Sequence, residues 1–327
     1  MSTAAHTPLV QVQQLTRTFG AVQAVDDLSF EFDRGQIFGF IGPNGAGKTT
    51  TMRILAGLDE PTHGNCLVDG HSTVDDADLI VGRVGYMPDN YGAYPNTTVE
   101  EYLDFFGRAY QLSGDKRRRV LADVIEFCQL GGLKNKLVTT LSKGMKQRLC
   151  LGRTLLHDPD VLVLDEPSAG LDPRARIEFR ELTKVLAEQG KAILVSSHIL
   201  ADLEEMCDAV AIIELGRLVA TGNVRDIKQQ VRSAREAHRH AAGESVVMEI
   251  RLSRPVNDVR VMLAQEPDVT DLDVRGDALT LRFAPDPSAQ AALLKRLIDR
   301  GLPVCHFATR DENLEDLFMH LTEGRVQ

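Results

Sequence analysis

Residues 36–50 read QIFGFIGPNGAGKTT, and their order decides the fold. An apolar run passes straight into a glycine-rich turn, and Lys48 then opens a helix reaching to about Ala56. Strand, glycine turn and helix start in that order make a P-loop, a cradle for phosphate. Such a cradle needs backbone N–H groups turned inward, and Gly45 and Gly47 permit that backbone. Gly42, Pro43, Asn44, Gly45, Ala46 and Gly47 supply the loop. Lys48 reaches the β- and γ-phosphates, Thr49 offers a hydroxyl to Mg²⁺, and Thr50 is placed for the α-phosphate. The bland alternative is a glycine turn of purely structural use. The strand before it and the helix after it favour the phosphate reading.

Working outward, residues 161–167 read VLVLDEP: four apolar strand residues, then paired acids. Asp165 is placed to hold Mg²⁺ through water, and Glu166 to orient and polarise an attacking water. Solvated acids at a strand end are the alternative, and the P-loop upstream weighs against it. Residues 160–198 alternate strand, helix, strand, which predicts a parallel α/β core. Residues 9–32 alternate as strands, and 64–87 read as short strands and turns. Residues 97–157 form an all-helical insertion, and 209–222 a hairpin turning near Leu215 and Gly216. Within the insertion, LSKGMKQRL (141–149) reads as a helix start capped by Ser142.

The composition shifts after Gly222. Residues 223–245 are polar and read as a short helix and linker, in which His238 and His240 are solvated rather than metal ligands. Residues 246–327 restart as strand, helix, strand, strand, helix, strand, with NLEDLFMHLT (313–322) as a closing helix. That is the ferredoxin-like α+β order. The expected layout is therefore a nucleotide-binding unit over 1–222, a linker over 223–245 and an accessory domain over 246–327.

The chain has 327 residues and a formal net charge of -10. An acidic chain is poorly suited to broad nucleic-acid binding, which needs a basic surface. The basic run from Lys116 to Arg119 reads as a solvated helix face. Five dispersed cysteines without a CxxC pair read as reduced thiols of a cytosolic protein. No signal peptide is visible, and the longest apolar runs are too short to span a bilayer. A membrane role therefore requires a second chain.

These motifs together resemble the ATP-binding cassette (ABC) family, the ATPase subunits of ABC transporters. SAGLD (168–172) follows the acidic strand as the family's D-loop does, and His198 in VSSH stands where its switch histidine does. VGYMPD (84–89) occupies the Q-loop position, LSKGM that of the LSGGQ signature, and Phe19 that of an adenine-stacking aromatic. Resemblance covers residues 9–222. It implies a P-loop fold with parallel core, antiparallel β subdomain and helical subdomain. It also implies ATP and Mg²⁺ as ligands, and a γ-phosphate contact from His198. Ser142 and Gly144 are implied to meet a nucleotide held by a second copy, so a homodimer or paired cassette is expected. The other implied partner is an integral membrane permease, which would hold the chain at the inner face of the cell membrane. The aromatics Tyr91, Tyr94, Tyr102, Phe105 and Phe106 are its candidate dock, with helix core as the plain alternative.

Two positions depart from the family pattern. Asp89 replaces the Q-loop Gln, so its Mg²⁺ contact is expected through water. Lys143 and Met145 replace a Gly and the Gln of the signature. The motif set and the small C-terminal domain look most like ATPases of bacterial drug or antibiotic-type exporters. The rival is a soluble ABC ATPase acting on nucleic acid or ribosomes. Acidic charge, a single cassette and the lack of coiled-coil or zinc insertions weigh against it. A hydrolysis-dead regulatory cassette fits poorly with intact Lys48, Asp165, Glu166 and His198. By position in similar chains, the C-terminal domain is expected to serve dimerisation or regulation.

Overall fold

A computed structural model describes residues 7–89, 92, 94–197, 200–227, 246–256, 259–264, 266, 269–284 and 286–309. His198, Tyr91, His238, His240 and the expected closing helix lie outside these residues. The described chain divides into two compact units, one through Ile227 and the other from Val246 to Thr309.

In the first unit, β1 (Val10–Phe19) and β2 (Val22–Phe32) form a hairpin, followed by β3 (Ile37–Ile41) and α1 (Lys48–Leu55). Then come β4 (His63–Val68), β5 (His71–Ser72), α2 (Ala77–Arg83) and β6 (Val84–Met87). The helical segment holds α3 (Val99–Ala109), α4 (Gly114–Phe127) and α5 (Lys143–Leu155). β7 (Val161–Leu164), α6 (Pro173–Glu188), β8 (Ala192–Ser196), α7 (Leu200–Met206), β9 (Ala209–Glu214) and β10 (Arg217–Asn223) complete the unit.

The central sheet has the order β10-β9-β3-β8-β7-β6. Its pairings from β9 across to β6 are parallel, and β10 closes the edge as an antiparallel hairpin. β3, β7 and β8 are buried at every residue, which is why they read as unbroken apolar runs. Leu215 and Gly216 turn the β9–β10 hairpin, both with positive φ. The second sheet, β2-β1-β4-β5, is antiparallel. Phe30 of β2 stacks on Phe38 of β3 with centroids 5.3 Å apart, and Phe40 lies 5.3 Å from Phe30. These rings fasten the antiparallel sheet to the strand that feeds the P-loop.

Two details differ from the sequence reading. A helix, α2, stands within residues expected to be short strands and turns. Only Ile80 of it is buried, so it carries too little apolar periodicity to be read. The first unit also continues past Gly222, because Val224 and Ile227 bury their side chains. In the helical segment, Thr98 and Glu101 close a reciprocal capping box that fixes the start of α3.

The second unit runs β11 (Val246–Leu252), α8 (Val259–Ala264), β12 (Thr270–Arg275), β13 (Ala278–Phe283), α9 (Pro287–Asp299) and β14 (Val304–Thr309). Its sheet order β12-β13-β11-β14, all antiparallel, is the ferredoxin-like arrangement. Met248, Ile250, Leu279, Leu281, Leu293 and Leu297 form part of its separate core. Glu266 is buried there between Arg296 at 2.7 Å and Arg300 at 2.9 Å.

Candidate active site

The P-loop joins the end of β3 to α1. Gly45 and Gly47 take φ of 83° and 96°, which L side chains disfavour. At Gly47 there is a second constraint: a methyl group would overlap the Ala24 carbonyl of β2. At Gly42 a methyl would come within 2.6 Å of the Ile213 carbonyl. Gly47 caps α1 without a side-chain hydrogen bond, which leaves the first-turn N–H groups and the positive end of the helix dipole suited to an anion. Lys48 is buried, and its ammonium donates to the carbonyls of Gly42 at 2.7 Å and Pro43 at 3.1 Å. Burial lowers its pKa, while Glu166 and then Asp165 oppose that shift. The three groups therefore share one electrostatic site. Thr49 is exposed and Thr50 half-buried at the same helix start.

Asp165 and Glu166 stand at the carboxyl end of β7, on the same sheet edge as the loop. Asp165 is buried, and its backbone N–H donates to Met87 O at 2.9 Å. Ser196, at the end of neighbouring β8, was not singled out from the sequence. Its hydroxyl donates to Asp165 Oδ1 at 2.8 Å and accepts the Glu166 backbone N–H at 2.9 Å. One buried serine thus orders both acids. The only signal was its place two residues before His198. Glu166 has a φ of 50°, an uncommon backbone for a residue other than glycine. Tyr86 approaches Asp165 Oδ2 at 3.5 Å, and burial, reinforced by that carboxylate, pushes its phenol pKa up.

The remaining candidates are placed around this edge. Asp89 is exposed, two residues beyond β6, whose Met87 pairs with Leu164 of β7. Phe19 is 48% exposed at the tip of the β1–β2 hairpin, with the Arg17 guanidinium 4.5 Å above its ring. About half of that side chain is open to solvent. Ser142 caps α5, accepting the Met145 backbone N–H at 3.3 Å. Gly144 packs on α6, where a methyl would lie 3.1 Å from Ala175 Cβ. Of the aromatic cluster, Tyr102 is core. Phe105 is 54% exposed, and Tyr94 lies 5.7 Å from it. Arg153 lies 5.1 Å over Phe106 and donates to the Tyr102 hydroxyl.

A parallel sheet that sets a phosphate loop beside an Asp-Glu strand end defines a P-loop nucleoside triphosphatase. Residues 25–169 match the ABC transporter family. Over 97% of its length the chain is 36% identical to a Nod factor export ATP-binding protein of Ralstonia nicotianae, covering 94% of that protein. It is 34% identical to a bacitracin transport ATP-binding protein of Bacillus licheniformis, again over 97% of the chain and 98% of the relative. A solved ATP-binding subunit of an ABC transporter superposes with a TM-score of 0.62 at 33% identity, spanning 68% of this chain and 93% of that one. The chain belongs to the ABC transporter family, as one of its ATP-hydrolysing cassettes.

Proposed function

We propose that the chain powers export through a membrane permease, hydrolysing ATP at Glu166 within a two-fold pair of cassettes. The Nod factor export and bacitracin transport relatives support the export direction. No helix among the described residues is long and apolar enough to cross a membrane, so a second chain supplies the path. The cassette then works at the inner face of the cell membrane. Tyr94 and Phe105 are the exposed aromatics at which the permease docks, backed by Tyr102 and Phe106.

Glu166 carries the reaction in this reading. Its backbone is fixed by Ser196, and its electrostatic reach includes Lys48 of the P-loop. Lys48 neutralises the β- and γ-phosphates, Glu166 orients the attacking water, and His198 contacts the γ-phosphate. Phe19 stacks on the adenine. Ser142 and Gly144 of one copy meet the γ-phosphate held by the other, so ATP joins the pair and hydrolysis releases it.

The oxygen donors suit Mg²⁺. Asp165 Oδ2 has Tyr86 at 3.5 Å, beyond a normal hydrogen bond, and so keeps lone pairs for an aquo ligand. Among the described residues no three His, Cys, Asp or Glu side chains converge. That favours an ion bound mainly through phosphates and water, with Thr49 and Asp165 as its protein donors and Asp89 at a distance of one water. Bound there, it neutralises phosphate charge. The second unit serves dimerisation or regulation, and β12 and β14 are the two edges of its sheet among the described residues.

Glu166→Gln tests the assignment. Steady-state hydrolysis should fall by about a hundredfold or more while ATP binding persists. Near-normal turnover in that variant removes Glu166 from the role.

A further inference from the structure

The segment after Glu166 is two linked turns. Ala169 N–H donates to Glu166 O at 3.1 Å, and Leu171 N–H to Ser168 O at 3.2 Å. Asp172 then caps α6, and Arg176 Nε returns a hydrogen bond to Leu171 O at 3.1 Å. The geometry of Glu166 is therefore continuous with that of residues 168–172. Ser196 fixes the sheet side of this segment. On its far side it meets the first turn of α5 at the surface.

Lys143, exposed like Gly170, makes that contact. A methyl built on Gly170 would lie 2.6 Å from Lys143 Nζ, 3.5 Å from Cε and 3.6 Å from Cδ. The lysine side chain thus runs over the one position in the turn that has no side chain, where φ is 65°. Gly144 reinforces the contact, since a methyl there would lie 3.1 Å from Ala175 Cβ and 3.9 Å from Leu171 Cδ2. Lys143 is also one of the two signature positions that depart from the family pattern, and the family's glycine has no side chain to reach Gly170.

We infer that Lys143 is a positioning residue for Glu166, holding the Gly170 turn of its own chain by packing. This rests on the reading of Glu166 as the group that polarises water. A long unbranched side chain at 143 limits the conformations open to Gly170, the residue in the turn with the greatest backbone freedom. Residues 166–171 then stay in the arrangement that Ser196 fixes from the other end. The signature tract acts in this way on the catalytic turn of its own copy, in addition to any contact with the other copy.

The test is steady-state ATPase kinetics on the full chain with Lys143→Gly, Lys143→Met and Gly170→Ala. Lys143→Gly should lower kcat about fivefold, with KM for ATP within about twofold of the parent. Lys143→Met keeps the length without the charge and should restore most of kcat. Gly170→Ala displaces the lysine, so adding Lys143→Gly to it should cost little more. Two results overturn the inference: Lys143→Met as impaired as Lys143→Gly, which makes the charge the active feature, or Lys143→Gly equal to the parent. A parent chain with no ATPase activity instead overturns the reading of Glu166 on which the inference rests.

Discussion

At the scale of single residues, the site is a set of short contacts around two acids. Ser196 is fully buried and serves both Asp165 and Glu166. Ser196→Ala leaves a buried carboxylate oxygen and a backbone N–H each short of a partner, at about 1–3 kcal/mol. We predict a kcat reduced about tenfold with KM for ATP nearly unchanged, measured by steady-state hydrolysis. Wild-type kcat would show that Glu166 is held by other means. The placement of the contiguous residues was legible: Gly42 to Thr50 run from β3 into α1, and Asp165 and Glu166 follow β7. Ser196 was not, because its partners lie 31 and 30 positions away and meet it only through the β7–β8 pairing. Lys143 was legible as a departure from the family but not in its contact, since Gly170 lies on another element.

At the scale of elements, His157 is among the contacts that join the helical segment to the central sheet. His157, just beyond α5, stacks on Tyr110 at the end of α3 with centroids 4.2 Å apart. Its Nε2 lies 3.3 Å from Val84 O of β6, and its Nδ1 is buried without a hydrogen-bond partner among the described residues. Burial lowers its pKa below the ordinary 6.5. The Val84 carbonyl opposes that shift, Lys191 adds to it, and Asp158 opposes it more weakly. The unfolded chain then takes up the proton first as pH falls, so the stability linked to neutral His157 is whole above 6.5 and declines below it. Thermal unfolding followed from about pH 7.5 to about pH 5.5 should show this decline, and His157→Gln should flatten it. An identical pH profile in the variant would assign the decline to other groups. Strong elements were legible here: the buried runs of β3, β7 and β8, and α5 with its cap. α2 was hidden because a surface helix with one buried residue leaves no apolar stripe.

At the scale of the whole molecule, a phosphate loop and an acidic strand end share one sheet edge, while the signature helix starts beside α6. The order of strands and helices predicted the parallel core and the ferredoxin-like second unit, since both follow from alternation and turn chemistry. The extension of the first unit to Ile227 was not readable, because Val224 and Ile227 are isolated apolar residues in a polar stretch. In the proposed function Ser142 and Gly144 of the signature helix also meet a nucleotide held by a second copy, and that is the central claim. It is tested by sedimentation of the Glu166→Gln chain with and without Mg-ATP. The account predicts a single-chain mass without nucleotide and a doubled mass with ATP, since bound nucleotide joins the two copies. A variant that binds ATP and keeps the mass of one chain would contradict it.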